Sequence, residues 1–278
     1  TEVRAPINVT NFFGYGNNTT LNTDEVQYFR SRYNIVNASA LIRRQFQSWL
    51  RILYGPTFQY FKVPQVQNAG KFINNTDLNG LDAATLYLPK TYLGAEATLD
   101  INSKNNQVLP TRGFVLDAGV RHLFGMNDQS HTVTQLRWDM SIFASFVPQS
   151  VYVFATRFGY YRNFGQFEFP QANYLSGTEN LRGYRRNRFA GRTMAFNNTE
   201  LRFKLSNFNT YLFPGSFGML FFHDIGRVWM DGQKSNKWHN GYGGGLWIAP
   251  IRRYVITASL AHSKEEKLLP YITFGFQF

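Results

Sequence analysis

Every second residue is apolar in several long stretches of this chain, and the residues between them are polar or charged. From Leu136 to Ile142, for example, apolar side chains alternate with Arg137, Asp139 and Ser141. A period of two is typical of β-strands, because successive residues of a strand point to opposite faces of the sheet. The chain is therefore predicted to be all-β, with strands that have one apolar and one polar face. The alternation recurs in residues 50–60, 114–121, 200–205 and 271–278.

Polar, turn-forming stretches separate these strands and are short enough to close antiparallel hairpins. They comprise residues 103–107, 125–130, 148–150, 231–237 and 263–267. The pattern predicts twelve strands, an even number that suits an up-and-down order of hairpins. The predicted strands span residues 3–14, 25–45, 48–62, 91–102, 112–125, 131–146, 150–163, 193–206, 215–230, 239–249, 253–263 and 269–278.

A soluble β-sandwich is the main alternative to a membrane barrel, because its strands alternate in the same way. Three features favour the barrel: the strands are long, aromatic residues crowd their ends, and many charges lie opposite the apolar faces. In a barrel, lipid accepts the apolar faces, the lumen accepts the charged faces, and no strand edge is left unpaired. We therefore predict a transmembrane antiparallel up-and-down β-barrel of about twelve strands, as a single domain of residues 1–278.

The composition excludes several other classes of protein. The absence of cysteine excludes zinc ribbons, disulfide scaffolds and thiol enzymes. A net charge of +12 suits nucleic acid, anionic lipid or a basic interior equally well. Basic and aromatic side chains lie on opposite strand faces instead of sharing one, so no nucleic-acid partner is predicted. No apolar run approaches the roughly 20 residues that a membrane-spanning helix needs.

No residue pattern predicts catalysis, a cofactor or a metal. The five histidines lack metal-ligand spacing, and His223 and Asp224 are adjacent strand residues whose side chains point apart. The Gly-x-Ser-x-Gly sequence of a nucleophile elbow does not occur. The glycines between Tyr242 and Leu246 lack the lysine and the helix of a phosphate-binding loop. We therefore expect a barrel without catalytic residues of its own.

The connection of residues 164–192 carries most of the information about function. It holds a cluster of arginines that is interrupted by Leu181, Tyr184 and Phe189. This mixture predicts a loop that folds against protein instead of extending into water. The loop follows the seventh predicted strand and the other long connection, residues 63–90, follows the third, so both are expected on the same rim.

A carboxylate on the ninth predicted strand is the expected partner of this loop. Asp224 shares a face with Phe222 and Gly226, and it would be costly on the lipid side. In the lumen it can pair with an arginine that the loop brings inward, and Arg182 is the candidate. The other loop arginines either bind anionic lipid or sugar phosphates at the rim or pair with lumen acids, and we favour pairing. These are Arg185, Arg186 and Arg188.

Two motifs at this separation resemble the paired signatures of the bacterial outer-membrane assembly factor superfamily. The first comprises Leu181, Arg182, Gly183 and Tyr184, and the second comprises Phe222, Asp224, Gly226 and Trp229. The superfamily includes BamA-type insertases, two-partner secretion transporters and surface-antigen barrels fused to patatin or phosphoesterase domains. The resemblance implies a loop folded into the lumen, with Arg182 bonded to Glu200 and Asp224. It also implies that Phe278, on one face of the last predicted strand with Phe274 and Phe276, belongs to a terminal signal read by the assembly machinery.

The same resemblance implies a location and a role. It places the barrel in the outer membrane of a Gram-negative bacterium, in contact with lipid and lipopolysaccharide. The expected role is to aid insertion or export of polypeptides, with client polypeptides or periplasmic proteins as further partners. A membrane anchor or export pore for an upstream patatin-type or phosphoesterase-type hydrolase is the alternative, and a passive pore is a third hypothesis.

The predicted strand count departs from that of well-known superfamily members, which have sixteen strands. Either the chain is a C-terminal piece of a larger barrel or it is a smaller complete barrel, and we favour the smaller barrel. Any periplasmic or catalytic N-terminal domain is expected to lie outside this chain.

Overall fold

The computed structural model describes residues 2–3, 7–21, 25–145, 151–211 and 213–278. These residues form β-strands with short helical segments in the connections. In chain order the strands are β1 (Glu2–Val3), β2 (Ile7–Asn11), β3 (Arg30–Ser39), β4 (Ile42–Gln47), β5 (Leu50–Lys62), β6 (Lys90–Asn102), β7 (Gly113–Gly125), β8 (Val133–Ser145), β9 (Tyr152–Gly165), β10 (Asn173–Leu175), β11 (Phe189–Gly191), β12 (Thr193–Asn209), β13 (Pro214–Trp229), β14 (His239–Pro250), β15 (Ile256–Ser263) and β16 (Leu269–Phe274). The helical segments are the 3-10 turns Val26–Phe29, Val66–Asn68, Phe72–Asn74 and Phe169–Gln171 and the short α-helix Thr76–Asn79.

One antiparallel sheet contains every strand except the small β10–β11 hairpin. Two of its strands are interrupted: β1 and β2 both pair with β3, while β3 and β4 both pair with β5. With these pairs counted as single strands, twelve strands follow one another in sequence order. The predicted up-and-down arrangement of about twelve strands is therefore confirmed. Within the described residues, no ladder joins β16 to β1 or β2.

β3 and β4 follow one another along β5 without a shift of register. Ser39 opposes Thr57 before the interruption, and Ile42 opposes Tyr54 after it. A Cβ atom on Gly55 would lie 2.1 Å from the carbonyl oxygen of Ala40, so only glycine allows this close approach of the two strands.

Burial is inverted relative to a soluble sheet. On β12, Leu201 and Leu205 are 46% and 51% exposed, whereas Glu200 and Arg202 are 1% and 3% exposed. Charged side chains point into the protein and apolar side chains point out of it, which suits a barrel with lipid outside and a polar lumen. Among the described residues, no helix is long and apolar enough to cross a membrane.

Ion pairs line the lumen wall between β5 and β9. Each arginine in this row pairs with a carboxylate on a neighbouring strand, and we call the row the charge ladder. Its pairs are Arg51–Asp100 at 2.8 Å, Arg121–Glu96 at 3.4 Å, Arg137–Asp117 at 2.8 Å and Arg157–Asp139 at 2.7 Å. Four lumen arginines therefore have a counter-charge on the next strand.

Connections alternate between the two ends of the barrel. We call the end that carries the two long connections, residues 63–89 and 166–192, the loop rim. The opposite end, the turn rim, carries shorter connections such as residues 103–112 and 251–255. The two long connections lie on the same rim, as their parity predicts.

Several predicted boundaries differ from the structure. The predicted first strand, residues 3–14, includes residues 4–6 outside the described residues, and residues 12–14 have left the sheet. The second begins only at Arg30, because Val26–Phe29 form a 3-10 turn. The predicted turn at residues 148–150 also lies outside the described residues.

The terminal strand predicted for residues 269–278 is wrong beyond Phe274, where β16 ends. Gly275 has a φ of 103°, a region that favours glycine, and it turns the chain away from the sheet. Phe276 and Phe278 consequently lie inside the lumen over a buried arginine, not on the lipid-facing side with Phe274.

Candidate functional site

The loop of residues 166–192 folds into the lumen and is held there by apolar packing. Its hairpin of β10 and β11 brings Leu175 and Phe189 together, and Leu181 and Tyr184 lie beside them. All four are at most 2% exposed. They pack against lumen-facing residues of the wall, namely Met194, Phe196 and Val228. The apolar residues that interrupt the arginines are thus the anchors of the loop.

Arg182 lies at the inner end of this loop and contacts both of its predicted partners. Its Nε donates to Asp224 Oδ2 at 2.7 Å and its Nη2 donates to Asp224 Oδ1 at 2.8 Å, which is a bidentate pair. Its backbone N–H donates to Asp224 Oδ2 at 2.9 Å. Its Nη1 donates to Glu200 Oε1 at 2.6 Å. The guanidinium also lies 3.7 Å from the centroid of the Phe222 ring.

A second arginine completes the network. Arg202 lies on the same face of β12 as Glu200, and its Nε donates to Glu200 Oε2 at 2.8 Å. Two arginines and two carboxylates are therefore buried together, and their formal charges cancel. Buried charges are tolerated when they are paired and hydrogen-bonded in this way. Arg202 was not among the predicted site residues, although its spacing of two from Glu200 places it on the lumen face.

Electrostatics favour the charged form of Arg182. Burial alone would lower its pKa, but attraction to Asp224 and Glu200 outweighs burial and raises the pKa above its ordinary value. The side chain thus remains a cation at any pH at which the barrel is folded.

Two glycines allow the loop backbone to come this close to the wall. A Cβ atom on Gly241 of β14 would lie 1.7 Å from the carbonyl oxygen of Arg182. Gly183 has a φ of 91°, and its N–H donates to the Tyr271 hydroxyl at 3.1 Å. The glycine of the Leu-Arg-Gly-Tyr motif thus lets the chain turn back immediately after Arg182.

The other two residues of the strand motif, Gly226 and Trp229, contact different parts of the protein. A Cβ atom on Gly226 would lie 2.7 Å from Leu175 of the loop, so this glycine makes room for the β10–β11 hairpin. Trp229 ends the strand at the loop rim, where its ring packs edge-on against Trp238. Asp224 and Phe222 therefore contact Arg182, whereas Trp229 belongs to the rim.

Phe278 is joined to the same network from the opposite side. Its carbonyl oxygen accepts a hydrogen bond from Arg202 Nη2 at 3.0 Å. The rings of Phe276 and Phe278 lie 3.9 and 5.3 Å from the Arg202 guanidinium. Gln277 donates to the carbonyl oxygen of Glu179 in the loop at 2.5 Å. The loop and the inward-turned terminal residues thus meet across one buried charge network.

Two of the other three loop arginines contact the β15–β16 connection. Arg185 pairs with Glu266 at 2.5 Å, and Arg188 pairs with Glu265 at 2.6 Å. They pair with acids, as favoured, but these acids belong to a rim connection and not to the lumen wall. Arg186 is exposed and makes no ion pair with any described residue.

Within the described residues, no group of three or more histidine, aspartate or glutamate side chains could hold a metal. The arrangement is built from ion pairs, aromatic rings and backbone contacts. These buried charges hold the loop at a fixed place in the barrel.

Comparison with known proteins places this geometry in a family. The family described as "Omp85 superfamily domain" matches residues 9–278. No curated protein matches the chain. Among solved structures, BamA from Haemophilus ducreyi lacking POTRA domains 1–3 is similar, with a TM-score of 0.69, 12% identity, and coverage of 88% of this chain and 55% of that chain. CdiB from Acinetobacter baumannii is similar with a TM-score of 0.53, 11% identity, and coverage of 88% and 41%. The chain thus spans about half the length of these proteins, and at this identity they show its fold alone.

Proposed function

Since the chain belongs to the Omp85 superfamily of bacterial outer-membrane barrels, we propose that it helps polypeptides to enter or cross that membrane. The barrel contacts lipid and lipopolysaccharide through its apolar exterior, and the clients are unfolded polypeptides that form strands. The mechanism is physical, because the barrel supplies hydrogen-bonding groups and a fixed wall instead of making or breaking covalent bonds.

The observation that carries this proposal is the edge of the last strand. β16 has only six residues, and among the described residues its ladder is with β15 alone. Its lipid-facing residues Ile272 and Phe274 are 78% and 88% exposed. A backbone edge in hydrocarbon lacks partners for its N–H and C=O groups, and each unmade bond costs several kcal/mol.

An incoming strand can supply those partners by adding to the edge. The client then gains backbone hydrogen bonds before it leaves the barrel, which lowers the free energy of placing its polar backbone in the membrane. The buried network of Arg182 keeps the wall of β12 and β13 rigid while the edge exchanges partners. We expect the loop to act as a brace and the two ends of the sheet to act as the seam.

The test is reconstitution of the barrel in lipid vesicles, followed by addition of an unfolded outer-membrane barrel protein. Insertion of the client is measured by its heat-modifiable gel migration. The chain has no cysteine, so a cysteine pair, one in β2 and one in β16, can be scanned for the positions that cross-link the seam. We expect oxidation of that pair to abolish the acceleration of client insertion and reduction to restore it.

The oxidised and reduced forms of one variant are matched controls for each other. Equal insertion rates in both forms, or no acceleration by the unchanged barrel over empty vesicles, would contradict the proposed function.

A further inference from the structure

The connection of residues 103–112, between β6 and β7, crosses the barrel at the turn rim. Its residues Val108 and Leu109 pack against a buried apolar cluster on the opposite wall. With the interrupted strands counted once, β6 is the fourth of the twelve strands and β14 is the tenth. They lie on opposite walls, so this contact spans the lumen. The cluster, which we call the lumen patch, consists of Leu220, Phe222, Trp247, Ala249, Val255 and Ala261.

The lumen patch contrasts with the wall from β5 to β9. That wall carries the charge ladder, whereas here Trp247 and Ala249 face inward and are 5% and 0% exposed. Apolar surface of this kind is stable only when something covers it. Val108, Leu109 and the inward-turned Phe276 provide that cover.

Hydrogen bonds within the 103–112 connection fix its conformation. Asn105 Oδ1 accepts hydrogen bonds from the backbone N–H groups of Thr111 and Arg112, both at 3.1 Å. Asn106 Oδ1 accepts from the N–H groups of Val108 and Leu109 at 2.8 and 3.0 Å. These internal bonds let the segment move as a unit without losing its own backbone hydrogen bonds.

Cations that form no ion pair with a described residue lie beside the lumen patch. Lys204 lines a cavity of about 110 Å³ between Leu109, Trp247 and Phe276. Lys104 and Arg253 line a neighbouring cavity of about 320 Å³. None of the three cations makes an ion pair with a described residue. Burial and repulsion from Arg202 lower the pKa of Lys104 despite its attraction to Asp100, so a further anion beside it would be stabilised.

We propose that the lumen patch is a binding surface for an extended apolar polypeptide segment that carries acidic residues. Residues 103–112 occupy this surface when no such segment is bound. The Val-Leu-Pro sequence at 108–110 shows which chemistry the patch accepts, and the cations that line the two cavities define the charge of the occupant. This proposal rests on the proposed function, since it names the class of polypeptide that the barrel receives at the turn rim.

Exchange of occupants would open a passage. A cavity of about 420 Å³ is bounded by Lys104 and Phe278 at the turn rim and by ladder residues such as Asp117 and Arg157 along its wall. It shares Arg137 and Tyr161 with a second cavity of about 480 Å³, so the two are adjacent. Displacement of the 103–112 connection therefore uncovers both the lumen patch and the polar half of the lumen.

A single introduced thiol tests the exchange, because the chain has no cysteine of its own. Leu109→Cys places the thiol on the side of the connection that faces the lumen patch, and Gln107→Cys, with an exposed side chain, serves as the control. The barrel in detergent micelles is treated with a charged maleimide, with and without a short synthetic peptide that alternates Leu and Glu. A Leu and Lys peptide of the same length is the matched probe.

We expect the acidic peptide to accelerate labelling of Leu109→Cys by about threefold or more, because it stabilises the state in which the connection is displaced. The basic peptide should have no effect, and labelling of Gln107→Cys should not change with either peptide. If Leu109→Cys does not fold, Val108→Cys takes its place.

Unchanged labelling at saturating acidic peptide, or equal acceleration by the basic peptide, would overturn the proposal. A different outcome would contradict only the proposed function. In that case the acidic peptide displaces the connection, but the barrel does not accelerate client insertion into vesicles.

Discussion

At the scale of single residues, the four buried charges around Arg182 depend on one another. Removal of one partner leaves another without its counter-charge, and an unpaired buried charge is far more costly than a lost surface ion pair. Glu200 is shared between Arg182 and Arg202, so it still has one partner when Arg182 is removed. Asp224 pairs with no second cation among the described residues, so it bears most of the loss.

Arg182→Ala is therefore expected to lower the free energy of unfolding by about 3–5 kcal/mol. Asp224→Asn should cost less, because the amide oxygen still accepts a hydrogen bond from the guanidinium. Urea titration followed by heat-modifiable migration measures both. Arg186→Ala, at an exposed arginine of the same loop, is the control and should leave the midpoint unchanged. An Arg182→Ala barrel as stable as the control would remove the brace from the mechanism.

Gly241 offers an independent test of how tightly the loop backbone meets the wall. Its substitution by alanine would place Cβ 1.7 Å from the Arg182 carbonyl oxygen, so the loop must shift. We expect a loss of about 1–3 kcal/mol, as for other overpacked sites. Gly119→Ala on β7 is the matched control, since its nearest atom would lie 3.4 Å away. Equal unfolding midpoints for the two variants would show that the loop does not rest on β14.

At the scale of elements, alternation in the sequence predicted strands well and their ends poorly. The period of two follows from burial of one face, and lipid and lumen impose it along the whole length of each strand. It carries no information on where a strand stops. Phe276 and Phe278 continue the pattern of Ile272 and Phe274 in sequence, yet the backbone at Gly275 turns them to the other side.

The contacts of the loop with Asp224 and Glu200 were predictable, because a carboxylate on a strand and an arginine in a loop are recognisable from residue type and motif. Arg202 and the lumen patch were not, since they depend on which distant elements meet. The packing of Val108 on a wall six strands away leaves no local trace in the sequence.

The terminal turn yields a prediction for Gly275. Alanine at a φ of 103° is strained by about 1–2 kcal/mol, which disfavours the inward conformation by about 5- to 30-fold. In a chain prepared with Phe278 as its last residue, Gly275→Ala should hasten release of that residue by carboxypeptidase, as measured by mass spectrometry. Gly232→Ala has similar strain, with a φ of 77°, but lies at the loop rim, and it should leave the rate unchanged. Equal rates in both variants would mean that Gly275 does not hold the terminal residues inside.

At the scale of the whole molecule, the two halves of the lumen differ. The wall from β12 to β16 is covered by the loop, the terminal residues and the 103–112 connection, whereas the wall from β5 to β9 carries the charge ladder beside open cavities. Ions can pass along the charged half of the lumen only where the segments that cover each rim leave an opening. The connection is the cover at the turn rim that lies directly against the ladder cavity, through Lys104.

Positive charges placed under this cover should open the barrel. The double variant Val108→Lys and Leu109→Lys puts two cations against the lumen patch, beside Lys104 and Lys204. Desolvation and like-charge repulsion are both unfavourable there, so the connection is expected to leave its place. We expect the conductance of the purified barrel in planar bilayers to rise by about tenfold. Gln107→Lys adds a cation at an exposed neighbouring position and should keep the low conductance of the unchanged protein. Trp247→Ala removes the contact from the opposite wall and should also raise the conductance. If both patch variants fold, judged by heat-modifiable migration, and conduct no better than Gln107→Lys, then residues 103–112 do not close the lumen.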